Sequence, residues 1–186
     1  YSTEAHYMLK LAVRNEVAQK CDNFDLSTPL PELCSKAAMA LGKSVQELTV
    51  CILNRPRHQL YIQQLRTLGV RVKLIQDCDV TGALLTCLPG SGVDVQFGVG
   101  GAPEAVITAA ALKCLGGFFA AQVWCDSIVG PQLFLEDLVR GECCFAATGI
   151  TDGSILKGVR FEGAKSVANS VFMTSVDKKI HWLTTK

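Results

Sequence analysis

A glycine-rich run followed by an acidic residue is the part of this chain whose residue types are best suited to chemistry. The run GVGG occupies residues 98–101, and Pro103 and Glu104 follow it closely. Residues 93–97 are mostly apolar and are expected to form a buried strand, after which the glycines form a turn. Because proline is favoured at the first position of a helix, the spacing predicts a helix that begins near Pro103.

A glycine turn at a helix N-terminus is suited to binding phosphate, because its N–H groups and the helix dipole both favour an anion. Glu104 in the first helical turn would repel such an anion unless a divalent cation lay between them. The alternative is that Glu104 only complements the helix dipole. The spacing alone leaves both interpretations open.

Two further polar clusters contain residues that could bind a phosphorylated ligand. Arg55 and Arg57 flank Pro56, and guanidinium groups match the geometry of phosphate oxygens. A solvated basic loop is the alternative for this cluster. Asp77 and Asp79 could orient sugar hydroxyls or bind a cation, but an ordinary turn with an aspartate helix cap explains them nearly as well.

Other kinds of site are less well supported by the residues. The glycine run resembles a dinucleotide-binding fingerprint, but Pro103 stands where a small residue is expected, so a nicotinamide site is disfavoured. The sequence has no GxSxG motif, and none of its three histidines is evidently paired with a cysteine. We expect His58 to face water at the start of a helix rather than to donate to a phosphate.

The elements that must position these residues alternate between strand-like and helix-like segments. This alternation predicts an α/β fold with a layered, largely parallel sheet flanked by helices. The expected strands cover residues 7–13, 48–53, 70–75, 93–97, 117–124 and 142–147. In addition to the helix from Pro103, the expected helices cover residues 31–41, 58–68, 80–87 and 134–139.

The last part of the chain has a different pattern, with three strand-like segments and no helix between them. It therefore predicts an antiparallel C-terminal extension, with strands near residues 158–161, 166–174 and 179–183.

In α/β sheets, ligands bind beyond the carboxyl ends of the parallel strands. Four polar clusters are expected at that edge, so they are predicted to share one site. The clusters cover residues 54–58, 77–79, 98–104 and 148–153.

Length and composition set limits on the class of protein. With 186 residues, the chain is long enough for one well-buried core and is expected to form a single domain. The net charge is +1 and the sequence has no long basic run, so binding to nucleic acid is not expected. The longest apolar stretch, residues 105–124, contains Lys113 and Gly116–Gly117, which argues against a membrane span.

Nine cysteines occur without a CxxC pair, and most have apolar neighbours. We interpret them as mostly reduced, buried residues, which indicates an intracellular, reducing compartment such as the cytosol or an organelle stroma or matrix. The chain begins with Tyr1 rather than Met, so an N-terminal part is expected to be missing. The sequence shows no secretory signal pattern.

Taken together, the motifs resemble those of the class II fructose-1,6-bisphosphatases, bacterial-type sugar bisphosphatases of the lithium-sensitive, inositol-phosphatase-like superfamily. The residues that carry the resemblance are RPRH at 55–58, DCDV at 77–80, GVGGAPE at 98–104 and FAATGITDGSILKGV at 145–159. It extends to YMLKLAV at 7–13 and ALGKSVQELTV at 40–50. The resemblance implies the C-terminal, substrate-binding half of that phosphatase fold.

The resemblance also implies an activity, which is hydrolysis of the 1-phosphate of fructose 1,6-bisphosphate with Mg²⁺ or Mn²⁺. Sedoheptulose 1,7-bisphosphate is a second substrate of some relatives. Glu104 matches a metal ligand of the family, and none of the residues here is assigned a catalytic role. The residues that match substrate contacts are Tyr7, Arg55, Pro56, Arg57, Asp77, Cys78, Asp79 and Gly101.

The chain departs from the family pattern in several places. It lacks the N-terminal half, which carries most of the metal-binding acids in an Asp-Pro-x-[Asp/Glu]-Gly-Thr type motif. Cys78 and Ala105 stand where glycine is usual, and the segment between Trp124 and Leu135 is much shorter than in relatives.

These departures leave two hypotheses. In the first, the chain supplies the substrate-binding half of a bisphosphatase and is inactive without a complementary N-terminal half. In the second, it is a non-catalytic, bisphosphatase-derived subunit of a larger assembly. In either case the chain is expected to act in an oligomer or complex.

Overall fold

The computed structural model of the chain describes residues 7–125 and 127–186. The strands in this part of the chain are β1 (Tyr7–Arg14), β2 (Thr49–Leu53), β3 (Arg71–Ile75), β4 (Val95–Gly101), β5 (Gly117–Trp124), β6 (Ile128–Phe134), β7 (Cys144–Thr148), β8 (Arg160–Glu162), β9 (Lys165–Thr174) and β10 (Ile180–Thr185). The helices are α1 (Asn15–Gln19), α2 (Leu30–Ala40), α3 (Gln59–Thr67), α4 (Asp79–Cys87), α5 (Ala102–Leu115) and α6 (Leu135–Leu138).

The larger sheet has six strands in the order β3-β2-β4-β1-β5-β6. Strand β2 is parallel to both β3 and β4, whereas β1 is antiparallel to β4 and β5, and β5 is antiparallel to β6. The α/β class is confirmed, but the sheet is mixed, so the expected parallel arrangement holds only for β2, β3 and β4. The difference arises because β1, the first of the described strands, inserts between β4 and β5.

Strand β1 lies in the middle of the sheet because both of its faces are apolar enough to be buried. Its six residues from Met8 to Val13 are all buried, as expected for a strand covered on both sides. Leu9 and Leu11 belong to a core shared with α2 and α3, whereas Met8 and Ala12 pack with residues of α5. By this alternation, Lys10 points to the same side as α4 and α5.

The smaller sheet is antiparallel, in the order β10-β9-β7, with β8 also paired to β9. This confirms the expected C-terminal extension. Strand β7 was expected in the main sheet but pairs with β9 instead. Val171 and Met173 of β9 pack against Leu84 of α4 and Cys114 of α5. Helices α4 and α5 therefore lie between the two sheets.

The glycine run is not a turn, and this expectation was wrong. Residues 98–101 lie within β4 and remain paired with β1 as far as the Tyr7–Gly101 pair. Helix α5 then begins directly at Ala102, with Pro103 in its first turn as expected. Glycine ends a strand more often than it continues one, and here the strand continues because it pairs with β1, a long-range contact that local sequence does not reveal.

The segment after Trp124 forms a strand that was not expected. Strand β6 pairs with β5 in an antiparallel hairpin, and Asp126 in the connecting segment lies outside the described residues. No helix in the described ranges is long and apolar enough to cross a membrane. The nine cysteines, all within those ranges, are free, but only Cys34, Cys51 and Cys114 are fully buried.

His58 is buried rather than exposed to water, which corrects the expectation from sequence. Its Nδ1 donates to the carbonyl oxygen of Leu53 at 2.7 Å, and its Nε2 accepts the backbone N–H of Val99 at 2.7 Å. The imidazole thus joins the ends of β2 and β4 beyond the last paired residues, Cys51 and Gln96. Gly98 makes room for the ring, since a Cβ at that position would lie 3.1 Å from Nε2.

The stability of the fold should therefore fall at mildly acidic pH through His58. Burial lowers the pKa of His58 from its ordinary value of 6.5, and the Val99 N–H occupies the nitrogen that a second proton would need. Above pH 6.5 the ring is neutral in both folded and unfolded chains. Below pH 6.5 the unfolded chain takes up a proton that the folded chain excludes, so the free energy of unfolding falls by at most about 1.4 kcal/mol per pH unit from this residue.

Urea unfolding at pH 7.5, 6.5 and 5.5 measures this effect. We expect the His58→Gln variant to be less stable than the wild type at pH 7.5 but to lose less of its stability between pH 6.5 and 5.5. Equal pH dependence in the two proteins would show that His58 does not contribute to it.

Cys78 adopts a backbone conformation that normally favours glycine. It immediately precedes α4, with φ of 60° and ψ of 71°, and a left-handed conformation costs a residue with a side chain about 1–2 kcal/mol. Glycine also gives the unfolded chain more conformational freedom, which lowers the free energy of unfolding by about 0.4–1 kcal/mol. We expect Cys78→Gly to raise the free energy of unfolding by a net amount of about 0.5–1 kcal/mol.

Chemical denaturation can test this with Cys144→Gly as the control. Cys144 is also exposed, but it lies in strand β7, so glycine there should destabilise the chain by about 0.5–1 kcal/mol. Equal losses of stability in the two variants would show that the left-handed backbone of Cys78 carries no such strain.

Candidate functional site

An open cleft with a volume of about 1060 Å³ lies at the carboxyl ends of β2 and β4. The residues that line it are Tyr7, Leu53, Arg55, Arg57, Asp77, Cys78, Asp79, Val80, Gly100, Gly101, Pro103 and Glu104. All the predicted substrate and metal residues are therefore brought together here, apart from Pro56. Pro56 does not line the cleft and instead opens the short 3₁₀ turn that ends at His58.

The fourth predicted cluster lies beside the cleft and does not line it. Residues 148–151 border a neighbouring pocket of about 300 Å³ whose lining is largely apolar. Cys78 and Val80 line both the cleft and this pocket, so the two are adjacent.

Arg57 is held in a fixed position by the backbone of β4 and by an aromatic ring. Its Nε and Nη2 donate to the carbonyl oxygen of Val99 at 3.2 and 3.0 Å. The guanidinium carbon lies 4.9 Å from the centre of the Tyr7 ring, an arrangement that stabilises a cation. The cleft therefore contains a guanidinium group whose orientation is set before any ligand binds.

Arg55 is held less firmly. Its Nη2 lies 2.8 Å from Oδ1 of Asp77, whose side chain is 83% exposed. An ion pair with so much contact with water contributes little to stability. Arg55 can therefore leave Asp77 for a ligand phosphate at small cost, and Asp77 is then free to accept a hydrogen bond.

Lys10 is a polar residue beneath the cleft that was not expected from the sequence. Its side chain is 1% exposed, and its Nζ lies 2.6 Å from Oδ2 of Asp79. Burial lowers the pKa of Lys10, with Asp79 and Glu104 acting in the opposite direction and Arg57 adding to the lowering. A lysine inside the apolar strand YMLKLAV was the available signal, because a buried lysine needs a partner of opposite charge.

Each glycine of β4 leaves space for one polar side chain. Gly98 faces His58, as described above. A Cβ on Gly100 would overlap the carboxylate of Asp79, and a Cβ on Gly101 would overlap the carboxylate of Glu104. The glycine run therefore allows three functional groups to pack directly against the strand.

The carboxylates of the cleft do not form a complete metal site. In the part of the chain that the structure describes, no group of three or more His, Cys, Asp or Glu residues is placed to hold a metal ion. Asp79 is paired with Lys10 and Asp77 with Arg55, so Glu104, at the entrance of α5, is the remaining carboxylate of the cleft. Mg²⁺ and similar cations require about six oxygen ligands, of which this arrangement supplies too few.

The charges of the cleft are balanced. The carboxylates Asp77, Asp79 and Glu104 are matched in number by the lining cations Arg55 and Arg57 and by Lys10, which is buried beside Asp79. Two of these cations already lie in ion pairs with aspartates. The arrangement can orient one phosphate group through the arginines and the first N–H groups of α5. It does not by itself provide the positive charge to neutralise two phosphates.

Comparison with known proteins identifies the family. The model of the bacterial, glpX-encoded fructose-1,6-bisphosphatase family matches residues 1–186. The chain is 36% identical over 200 residues to the fructose-1,6-bisphosphatase class 2 of Haemophilus influenzae, with 94% of this chain and 59% of the relative covered. It is 35% identical over 182 residues to fructose-1,6-bisphosphatase 1 class 2 of Escherichia coli K12, with 84% and 54% covered.

The chain spans a little more than half the length of these relatives. The aligned stretch with the Haemophilus relative is longer than this chain, so that relative contains residues that the chain lacks. The match over the whole sequence nevertheless agrees with the motifs that meet in the cleft. This chain belongs to the bacterial-type, class II fructose-1,6-bisphosphatase family.

Proposed function

We propose that this chain supplies the sugar-bisphosphate-binding cleft of a metal-dependent fructose-1,6-bisphosphatase that hydrolyses the 1-phosphate. In this proposal the chain is one domain that corresponds to the C-terminal half of the phosphatase fold. The observation that carries the proposal is the convergence on one cleft of residues from the motifs at 7–13, 55–58, 77–80 and 98–104. Sedoheptulose 1,7-bisphosphate is a further candidate substrate.

The arginines are the groups that would bind phosphate. Arg57 offers a guanidinium whose orientation is already fixed by Val99 and Tyr7, so little conformational entropy is lost when it binds an anion. Arg55 would exchange its exposed contact with Asp77 for a phosphate oxygen. Because α5 begins at Ala102 beside Gly101, its first N–H groups add further donors at the same end of the cleft.

The aspartates would position the sugar. Asp77 is exposed at the rim of the cleft and would accept hydrogen bonds from sugar hydroxyls once Arg55 has moved to a phosphate. Asp79 is fixed by Lys10 and by its packing against Gly100. In this arrangement the residues of the chain bind and orient the substrate, and none is assigned a catalytic role.

The charge balance of the cleft supports a requirement for cations. A sugar bisphosphate carries roughly −3 to −4 at neutral pH, because each phosphate group carries about −1.5 to −2. The three carboxylates that line the cleft are balanced only by Arg55, Arg57 and the buried Lys10, so additional positive charge must accompany the substrate. Mg²⁺ or Mn²⁺ would supply it, with Glu104 as one ligand and further carboxylates from a segment outside this chain. We therefore expect the chain to be inactive alone.

We also propose that the chain acts in a reducing compartment and as part of a complex. Free thiols are stable in a reducing compartment, which favours the cytosol or an organelle stroma or matrix. The incomplete set of metal ligands favours a complex with the complementary half of the enzyme.

Calorimetric titration of the chain with fructose 1,6-bisphosphate, in the presence of Mn²⁺, tests the proposed function. Binding should be measurable for the bisphosphate and absent for fructose, which lacks both phosphates. No binding of the bisphosphate would contradict the proposal and favour a non-catalytic subunit.

Arg57 should contribute strongly to binding. We expect Arg57→Gln to weaken the affinity for fructose 1,6-bisphosphate at least 10-fold, because a charged, oriented donor is replaced by a neutral one. Arg66→Gln is the matched control, since Arg66 is an exposed residue of α3 that does not line the cleft. Equal loss in both variants would indicate a general effect of charge rather than a specific contact.

Gly100 should be required for the position of Asp79. We expect Gly100→Ala to lower both stability and sugar-bisphosphate affinity, because its methyl group would displace the carboxylate from Lys10. Gly153→Ala is the control, since the nearest atom to its Cβ would be the Leu156 oxygen at an ordinary 3.6 Å. Thermal unfolding and calorimetry measure the two effects, and an unchanged Gly100→Ala variant would show that the cleft tolerates the methyl group.

A further inference from the structure

Two cysteine thiols meet where the end of α5 packs against the smaller sheet. Cys114 lies in the last turn of α5, and Cys143 directly precedes β7. Their Sγ atoms are 4.0 Å apart, although the two residues are separated by 29 positions in the chain. Neither residue lines the cleft. The pair is therefore a cluster of reactive groups that the proposed function does not use.

Hydrogen bonds fix the position of Cys143 beside α5. Its backbone N–H donates to Oγ of Ser175 at 2.9 Å, and its carbonyl oxygen accepts the N–H of Ser175, also at 2.9 Å. The Cys143 thiol donates to the carbonyl oxygen of Ala110 at 3.6 Å, about one helical turn before Cys114. Since these contacts come from both the smaller sheet and α5, the sulfur is held against the helix before any reaction.

The distance between the two sulfur atoms suits a disulfide. An S–S bond is about 2.05 Å long, so sulfur atoms that lie 4.0 Å apart must approach by about 2 Å. Rotation of the two side chains about their Cα–Cβ bonds can bring the atoms together without moving either element. The rotation gives up only weak contacts of the thiols with carbonyl oxygens, among them that of Met173 at 3.7 Å from the Cys114 sulfur.

The surroundings give the two thiols different roles. Cys114 is fully buried, and burial raises the pKa of its thiol above the ordinary value of 9.0, with Cys143 acting in the same direction. Cys114 therefore stays protonated at neutral pH and is shielded from solutes. Cys143 is only half-buried, so a small oxidant meets its thiol first.

We propose that Cys114 and Cys143 form a modification site, which hydrogen peroxide converts into a disulfide between α5 and the smaller sheet. The Cys143 thiolate attacks one peroxide oxygen, so that an S–O bond forms while the O–O bond breaks. The departing hydroxide takes up the proton that the thiol has lost and leaves as water.

The buried thiol completes the reaction. The Cys114 sulfur attacks the sulfenic acid of Cys143, and the S–S bond forms while the S–O bond breaks. The second hydroxide takes up the Cys114 proton and leaves as water. In total the two thiols lose two protons and two electrons, and the peroxide is reduced to two water molecules.

The disulfide would stabilise the chain and leave the cleft open. It joins residues that are far apart in the sequence and so restricts the unfolded chain. Cys114 lies ten residues after Glu104 in α5, which places the bond roughly 15 Å along the helix from the cleft. The modification therefore goes beyond the proposed function and does not depend on it.

Oxidation of the purified chain by hydrogen peroxide tests the proposal. After the remaining thiols have been alkylated, mass spectrometry of tryptic peptides should find Cys114 linked to Cys143. The melting temperature should rise by about 5 °C or more, because a disulfide across a loop of this length restricts the unfolded chain. Dithiothreitol should reverse both changes, which distinguishes the disulfide from methionine sulfoxide, since that modification needs its own reductases.

Cys114→Ser and Cys143→Ser should each abolish the rise in melting temperature. Oxidised and reduced samples of the same variant are compared, so a variant that is less stable from the outset remains informative. Cys144→Ser is the matched control and should keep the full rise, because Cys144 is exposed and points to the opposite side of β7 from Cys143. No disulfide in the wild type, a disulfide through Cys144 in place of Cys143, or an equal rise in Cys143→Ser would overturn the proposal.

Discussion

The buried ion pair between Lys10 and Asp79 is the interaction on which the cleft depends. It joins the central strand β1 to the first residue of α4, and neither side chain has appreciable contact with water. Removing one partner of such a pair costs about 3–5 kcal/mol, because the other charge is left buried without compensation. The pair contacts the strand at Gly100, so the backbone of β4 and the charge of Lys10 together determine where the Asp79 carboxylate lies.

Polar side chains also approach the backbone of β4 closely at Gly98 and Gly101. His58 against Gly98 closes the gap between β2 and β4, and Glu104 against Gly101 lies at the first turn of α5. The bare backbone of β4 at Gly100 and Gly101 therefore forms part of the wall of the cleft. This explains why the polar groups are close together although they come from separate elements.

The sequence predicted the polar clusters that meet in the cleft, because each directly follows or precedes a strand with a recognisable apolar pattern. It did not predict Lys10 or the buried position of His58, since both depend on partners more than 40 residues away in the chain. The mixed order of the main sheet was missed for a related reason. The pattern of YMLKLAV indicates a strand, but only its pairing with β4 and β5 shows that the strand is central.

The central position of β1 has a consequence for how the chain folds during synthesis. Its two neighbours are β4 and β5, so the pairing of Tyr7 is complete only after Gly101 and Trp124 have been synthesised. Contacts this distant in sequence slow folding, because a long loop must close before they form. Among the described strands, β1 is synthesised first yet is among the last to be buried, and during that interval an apolar strand stays available to chaperones or to aggregation.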